Sequence, residues 1–269
     1  MRNFNVLPKL NFYSCILEKY LKNKIVLVTG GNRGIGRAIS EYFIEHEARV
    51  AVHYNINREL ADELIKKYGE NVYTFHADLS QALDVTSLFQ QVITKLKRLD
   101  ILINNAGIAI SSSITDNDVQ WVNDWMKTID VNLNAVGLLC KKAIEYFLEN
   151  SIKGKIINIS SRAAFRGDTP EYMAYAASKG GIVSLTRSIA RAFGKNGIVA
   201  FNVAPGFVKT DMAQKFFDQY GEKHALDDIA LNELTTPKDI APLVGFLASG
   251  QADHATGGTF DINAASYVH

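Results

Sequence analysis

The chain has 269 residues, 47% of them apolar, with 29 Lys+Arg against 28 Asp+Glu for a formal net charge of +1. This suits one α/β domain large enough to bury a core without disulfides or metals, and it excludes nucleic-acid binding through bulk positive charge while leaving room for a local anion site. Two cysteines, Cys15 and Cys140, are too few for a secreted disulfide framework, no apolar run reaches the roughly 20 residues of a membrane span, and Pro8, Lys9, Asn11 and Glu18 break any signal-peptide core, so a cytoplasmic protein with no membrane partner is expected.

Strand and helix signals alternate from Lys24 onward, whereas residues 1–23 lie outside the pattern as an extension, either a short helix around Cys15–Leu21 or a disordered leader. Ile25–Val28 is an apolar run ending in glycines, a buried strand. Gly36–His46 has helical spacing, Val50–Tyr54 reads as a strand, Arg58–Tyr68 as a helix and Val72–His76 as a strand. Asp84 can cap a helix running to Lys97, and Ile101–Asn104 is a strand followed by a small-residue loop through Ser113. A long helical stretch covers Val119–Glu149 with a break near Asp130. Lys155–Ser160 is a strand, and Ala174–Phe193 a helix closed by Gly194. Ile198–Val203 is a strand, Pro237–Leu247 a helix with proline in its first turn, and Thr259–Ile262 a last strand. Alternating units of this kind imply a single-domain, Rossmann-type, doubly wound parallel sheet of about seven strands with helices on both faces. Ligands then bind beyond the carboxyl ends of the strands, where strand order reverses.

After the first strand comes Thr29-Gly30-Gly31-Asn32-Arg33-Gly34-Ile35-Gly36, whose glycines let the backbone approach a ligand and whose following helix offers free N–H groups to a pyrophosphate. Its Gly-x-x-x-Gly-x-Gly spacing resembles the short-chain dehydrogenase/reductase family. Further motifs match that family in order: Asp78 and the adjacent Leu79, Asn104-Asn105-Ala106-Gly107, Asn132 in Asp130-Val131-Asn132, Ser161 in Ile157-Asn158-Ile159-Ser160-Ser161, Tyr175-Ala176-Ala177-Ser178-Lys179, and Pro205-Gly206 with Val208 and Thr210 behind it. The overall look is that of 3-oxoacyl-(acyl carrier protein) reductases, with fatty acid biosynthesis as the implied process. Ser161 stands 14 positions before Tyr175, one more than is usual in these reductases, which a one-residue insertion near Arg166–Pro170 absorbs. Ser160 is the alternative to Ser161 as the catalytic serine.

Tyr175 and Lys179 are four apart on a predicted helix and share one face. An ammonium beside a phenol is expected to lower its pKa from about 10 and fit it for general acid/base work. By resemblance, Tyr175 gives or takes the proton on the substrate oxygen and Ser161 holds that oxygen. Lys179 also binds the nicotinamide ribose, and Asn132 holds a water linking Lys179 to solvent. Gly30, Asn32, Arg33, Gly34, Ile35, Gly36, Tyr54, Asn55, Asp78, Leu79, Asn105, Ala106, Gly107, Pro205, Gly206, Val208 and Thr210 complete the expected cofactor site. The second strand ends His53-Tyr54-Asn55 with no acid, and Arg33 can face a 2′-phosphate, so NADP(H) is favoured over NAD(H). No metal is expected: the histidines at 46, 53, 76, 224, 254 and 269 have no ligand spacing and read as surface or strand-end residues.

Ser111-Ser112-Ser113 is either a pocket wall or a flexible turn, and 209–231, with Met212, Phe216 and Phe217, resembles the family's substrate lid. The expected substrate is a small carbonyl compound or alcohol, with a 3-oxoacyl thioester foremost. An NAD-dependent sugar, polyol or steroid-type alcohol dehydrogenase is the alternative, and a non-catalytic dinucleotide-sensing or scaffold protein is the alternative of another class. An acyl carrier protein is an expected partner only through Lys153 and Lys195, which neighbour Ile152 and Asn196 at the aligned positions. The resemblance also implies a homotetramer, with Leu138, Leu139, Phe147, Ile182, Leu185 and Ile189 as candidate pairing residues.

Overall fold

The computed structural model describes residues 19–211 and 221–268. Seven strands form one sheet: β1 Ile25–Val28, β2 Arg49–Tyr54, β3 Val72–His76, β4 Ile101–Asn104, β5 Lys155–Ile159, β6 Val199–Pro205 and β7 Thr259–Ile262. Their order is β3-β2-β1-β4-β5-β6-β7, and every pair is parallel. The order reverses between β1 and β4, which brings the glycine-rich turn after β1 beside the loop after β4. Ile25, Val26, Leu27 and Val28 are all buried because helices cover both faces, which is why this strand reads as a continuous apolar run.

One face packs against Ala82–Leu96, Ala135–Glu149 and Met173–Phe193, and the other against Gly34–Glu45 and Pro237–Ala248. Leu27, Leu102 and Ile156 fill the first core; Val26, Ile103 and Ile157 fill the second. Full burial of one such side chain contributes about 1.5–3 kcal/mol. Of the segment expected to lie outside the family pattern, Lys19–Leu21 is a helical turn and Leu21 is fully buried in the second core. Cys15, Met212, Phe216 and Phe217 lie outside the described residues. Among the described residues no helix is long and apolar enough to cross a membrane.

Several local expectations are corrected. The first helix begins at Gly34 rather than Gly36. Asp84 lies inside the first turn of Ala82–Leu96, and its Oδ2 instead accepts from the Asp78 N–H at 3.1 Å. The α-helix ends at Phe193 with Gly194 as its C-cap, as expected, but Gly194 is right-handed at φ −56° and leads into a 3₁₀ turn, and the left-handed residue is Gly197 at φ 78°. The break near Asp130 is a π turn, Asp130–Asn134, between Asp118–Ile129 and Ala135–Glu149. Leu139, Phe147, Ile182 and Ile189 are spent in the core against the sheet, so they form no pairing face; Leu138 and Leu185 also pack there, partly buried. Val119, Val122 and Met126, on Asp118–Ile129, are among the apolar residues that do face outward on these helices, with Leu148 and Met173.

Candidate active site

The glycine turn is held from three sides. Gly30 and Gly34 have φ of 60° and 53°, a region costly for other residues. The Gly31 N–H donates to His53 O at 2.9 Å, and Asn32 Nδ2 donates to Ile56 O and Asn57 O at 3.1 Å each, tying the turn to the end of β2, where Tyr54 and Asn55 sit. From the far side of the strand-order reversal, Asn105 Nδ2 donates to Thr29 O and Gly30 O at 2.9 and 3.2 Å. Thr29 Oγ1 accepts from the N–H groups of Asn105 and Ala106. The helix that follows has no side-chain cap at Arg33 and no acidic residue in its first turn, so its leading N–H groups and positive dipole end suit a pyrophosphate. The residues present therefore fit a dinucleotide.

His53, one residue from the end of β2, belongs to this frame as a buried strand-end residue rather than a surface one. It is 2% exposed; its Nδ1 accepts from the Gly30 N–H at 3.1 Å, which leaves Nε2 to donate to Ala77 O at 3.1 Å. Burial is the main cause that pushes its pKa down to about 4. The unfolded chain then binds a proton near pH 6.5 that the folded chain refuses until about 4. This neutral ring's contribution, about 3 kcal/mol, is present above pH 6.5 and lost as pH falls toward 4. Thermal unfolding should drop over that interval, and His53→Gln should flatten the drop. An unchanged slope in that variant would remove His53 as its source.

At the ends of β4 and β5 the catalytic candidates converge. Ser161 lies close enough to the Tyr175 phenol to favour its ionised form, and Lys179 Nζ lies 5.5 Å from the Tyr175 ring centroid. Lys179 is 3% exposed and donates to Ile159 O at 3.0 Å. Gly107 passes so close that a Cβ there would lie 3.3 Å from both Lys179 Nζ and Asn132 Oδ1. Asn132, fully buried in the π turn, accepts from the Ile108 N–H and donates to Ile108 O, both at 2.8 Å, and donates to Ser178 Oγ at 3.1 Å. Its amide clamps the β4 loop to the helix bearing Tyr175 and Lys179. Ser160 points the other way: its Oγ accepts from Asn202 Nδ2 at 2.8 Å and donates to Val203 O at 3.3 Å. Only Ser161 faces the tyrosine.

Electrostatics in this pocket run against the expected effect of the ammonium. Burial pushes Tyr175 up to about 12, the Ser161 hydrogen bond pulling back and Asp168 adding to the rise. Burial also brings Lys179 down to about 8. The ammonium donates to a carbonyl rather than to the phenol oxygen, so desolvation outweighs it. The group poised near neutrality is Lys179.

The remaining candidates fall at varied distances from this cluster. Asp78 Oδ1 accepts from the Ser80 N–H at 2.9 Å, and the Leu79 side chain is buried. Arg33 Nη1 stands 3.5 Å from Asp211 Oδ2, and a Cβ on Gly34 would lie 3.5 Å from Thr210 Cγ2, so the segment after β6 borders the glycine turn. Gly206 is packed against Asn263, the Arg162 N–H donates to Pro205 O, and the Val208 side chain is buried in the core. Ser112 is buried with its N–H donated to Glu171 O at 2.9 Å, whereas Ser111 is exposed. Lys153 and Lys195 precede β5 and β6, at the end of the sheet opposite Ser161 and Tyr175. Within one chain they do not flank the site. Sequence reasoning missed His53, Arg162 and Asp228; a histidine at the carboxyl end of a buried strand was the available signal for the first.

Comparison with known proteins gives a consistent result. The sequence model of the family described as short chain dehydrogenase matches residues 24–221. A curated relative, the 3-oxoacyl-[acyl-carrier-protein] reductase FabG of Staphylococcus aureus, is 36% identical over 248 residues, covering 91% of this chain and 98% of the relative. Among solved structures, a dehydrogenase/reductase from Sinorhizobium meliloti superposes with a TM-score of 0.85 at 30% identity, covering 96% and 100% of the two chains. A blue fluorescent protein from a metagenomic library, solved in complex with NADPH, superposes with a TM-score of 0.83 at 29% identity, covering 93% and 100%.

Proposed function

The chain belongs to the short chain dehydrogenase family as an oxidoreductase resembling 3-oxoacyl-[acyl-carrier-protein] reductases, and from that premise we propose that it reduces a 3-oxoacyl thioester or a similar small ketone with NADPH in the cytoplasm. The observation that carries this reading is the convergence of Ser161, Tyr175 and the buried Lys179, whose Nζ lies 5.5 Å from the tyrosine ring centroid, at the carboxyl ends of the central strands. The nicotinamide, when bound, supplies the hydride. Gly30, Asn32, Gly34, Ile35 and Gly36 would hold its pyrophosphate side, Asp78 and Leu79 its adenine, and Asn105 to Gly107 with Pro205, Gly206, Val208 and Thr210 its nicotinamide side. Tyr175 Oη gives its proton to the substrate oxygen as charge develops there, and Ser161 Oγ donates a hydrogen bond to that oxygen. Lys179 restores the tyrosine proton and holds the ribose. Asn132 fixes the β4 loop beside Lys179 and holds a water that links Lys179 to solvent.

NADP(H) preference is supported by the absence of an acid in Tyr54-Asn55 at the end of β2 and by Arg33, whose half-exposed guanidinium has Asp211, at 3.5 Å, as its ion-pair partner among the described residues. Arg33→Ala should raise the NADPH KM by roughly 10- to 100-fold, the worth of a charge-assisted hydrogen bond, and the NADH KM far less. Equal changes in both constants would remove Arg33 from this role. A homotetramer is supported by the outward apolar residues Val119, Val122 and Met126. An acyl carrier protein held at Lys153 and Lys195 would have to serve the site of a second copy.

A further inference from the structure

The helix that follows Ser161, Ala163–Arg166, is bound to the far side of the cleft through charge. Arg162 is 8% exposed; its guanidinium carbon lies 4.3 Å from the centroid of the Phe207 ring, and its Nη1 donates to Asp228 Oδ2 at 2.6 Å. Arg166 Nη1 donates to the same oxygen at 3.0 Å. Asp228 ends the short helix Glu222–Asp227, and two residues later the Ala230 N–H donates to Ala264 O at 2.8 Å. Phe165 stacks on Tyr267 with ring centroids 6.4 Å apart. The turn carrying Ser161, the segment 228–230 and the turn after β7 therefore form one unit. Asp168 on the same loop acts on both arginines and on Tyr175. A guanidinium this buried depends on its carboxylate, because losing one partner strands a desolvated charge.

We propose that the Arg162–Asp228 ion pair is a positioning element of the reaction, holding the Ser161 turn in register with the wall formed by residues 228–230. The proposal rests on Ser161 holding the substrate oxygen, as above. Because Arg162 is the residue next to Ser161, a shift of its guanidinium moves the Ser161 hydroxyl while the glycine turn, on the other side of the sheet's switch point, stays in place.

The test compares the full-length chain with Asp228→Asn, Arg162→Met and the double variant. Three quantities are read: kcat/KM on acetoacetyl thioester, the NADPH dissociation constant, and amide hydrogen exchange. Each single variant should lower kcat/KM by about 10- to 100-fold, the scale of a small misplacement in a reacting site. The double variant should be no worse than Asp228→Asn, because that variant already removes the Arg162 pair along with the Arg166 contact to the same oxygen. Exchange should quicken at the amides of residues 164–167 and 228–230, and stay unchanged over 34–45 together with NADPH affinity. Unchanged exchange, unchanged kcat/KM, or NADPH affinity falling in step with activity would overturn the proposal. A wild-type chain without turnover on any carbonyl compound would overturn the proposed function instead, and the exchange comparison would still decide whether the pair couples the two segments.

Discussion

Tyr175→Phe should lower turnover by about 10²- to 10⁴-fold, a loss of about 3–5 kcal/mol in transition-state stabilisation. The ring stays, so its packing over Lys179 and the cofactor cradle stay with it; what goes is the hydroxyl that meets Ser161 and carries the proton. With Tyr175 raised to about 12, the phenol is protonated across the working range, and Lys179, lowered to about 8, is the group that titrates. Carbonyl reduction should therefore be level below that value and fall as pH rises through about 8, while alcohol oxidation gains over the same interval. Steady-state kinetics against pH reads both effects. A Phe variant with wild-type kcat would sink the assignment of Tyr175, and a reduction profile flat to pH 10 would sink that of Lys179.

Gly36→Ala should disable the cofactor site. A Cβ at this position would stand 2.1 Å from Gly30 O and 2.5 Å from Asn105 Nδ2, and those two atoms are themselves hydrogen-bonded across the strand-order reversal. Nothing there is a flexible side-chain end that can swing away: one atom is backbone, and the other is an amide pinned by Thr29 and Gly30. The turn, the start of the Gly34–Glu45 helix and the Asn105 loop must separate, with an overpacking cost of about 1–3 kcal/mol. NADPH should bind roughly 10- to 100-fold more weakly on the usual relation between affinity and free energy. Fluorescence titration measures the affinity and a melting curve the stability; binding as tight as wild type would contradict the packing account of this turn.

Much of the fold is legible in the sequence. The central strands β1 and β4, buried on both sides, read as continuous apolar runs, and the edge strands β3 and β7, only partly buried, also occupy the residues that their polar boundaries predict. The chemistry-bearing residues are legible in two ways: the glycine turn, Asp78, Asn105 and Ser161 follow strands, where a parallel sheet presents its ligands, and Tyr175 and Lys179 stand one helical turn apart. Ser160 and Ser161 are separated by the sheet itself, since the side chain of Ser160 is taken by Asn202 on β6. What stays hidden depends on partners distant in sequence. Gly194 does close its α-helix, yet the left-handed turn comes only at Gly197, after a 3₁₀ turn. Asp84 resembles a cap but bonds back to the Asp78 N–H, and Leu139 and Ile182 resemble a pairing face until the sheet covers them. The Tyr175 shift is opposite in sign to the expectation from Lys179 alone, because spacing along a helix reveals proximity and says nothing of desolvation.

The central claim is NADPH-dependent hydride transfer to a carbonyl carbon, and following nicotinamide absorbance with purified full-length chain tests it most directly. The assay offers NADPH or NADH with acetoacetyl thioester and small ketones, and NADP or NAD with sugars and polyols. The account predicts brisk NADPH oxidation with acetoacetyl thioester, much slower oxidation of NADH, and neither in Tyr175→Phe. Absence of turnover with every carbonyl compound, alongside rapid NAD reduction by a sugar or polyol, would contradict it.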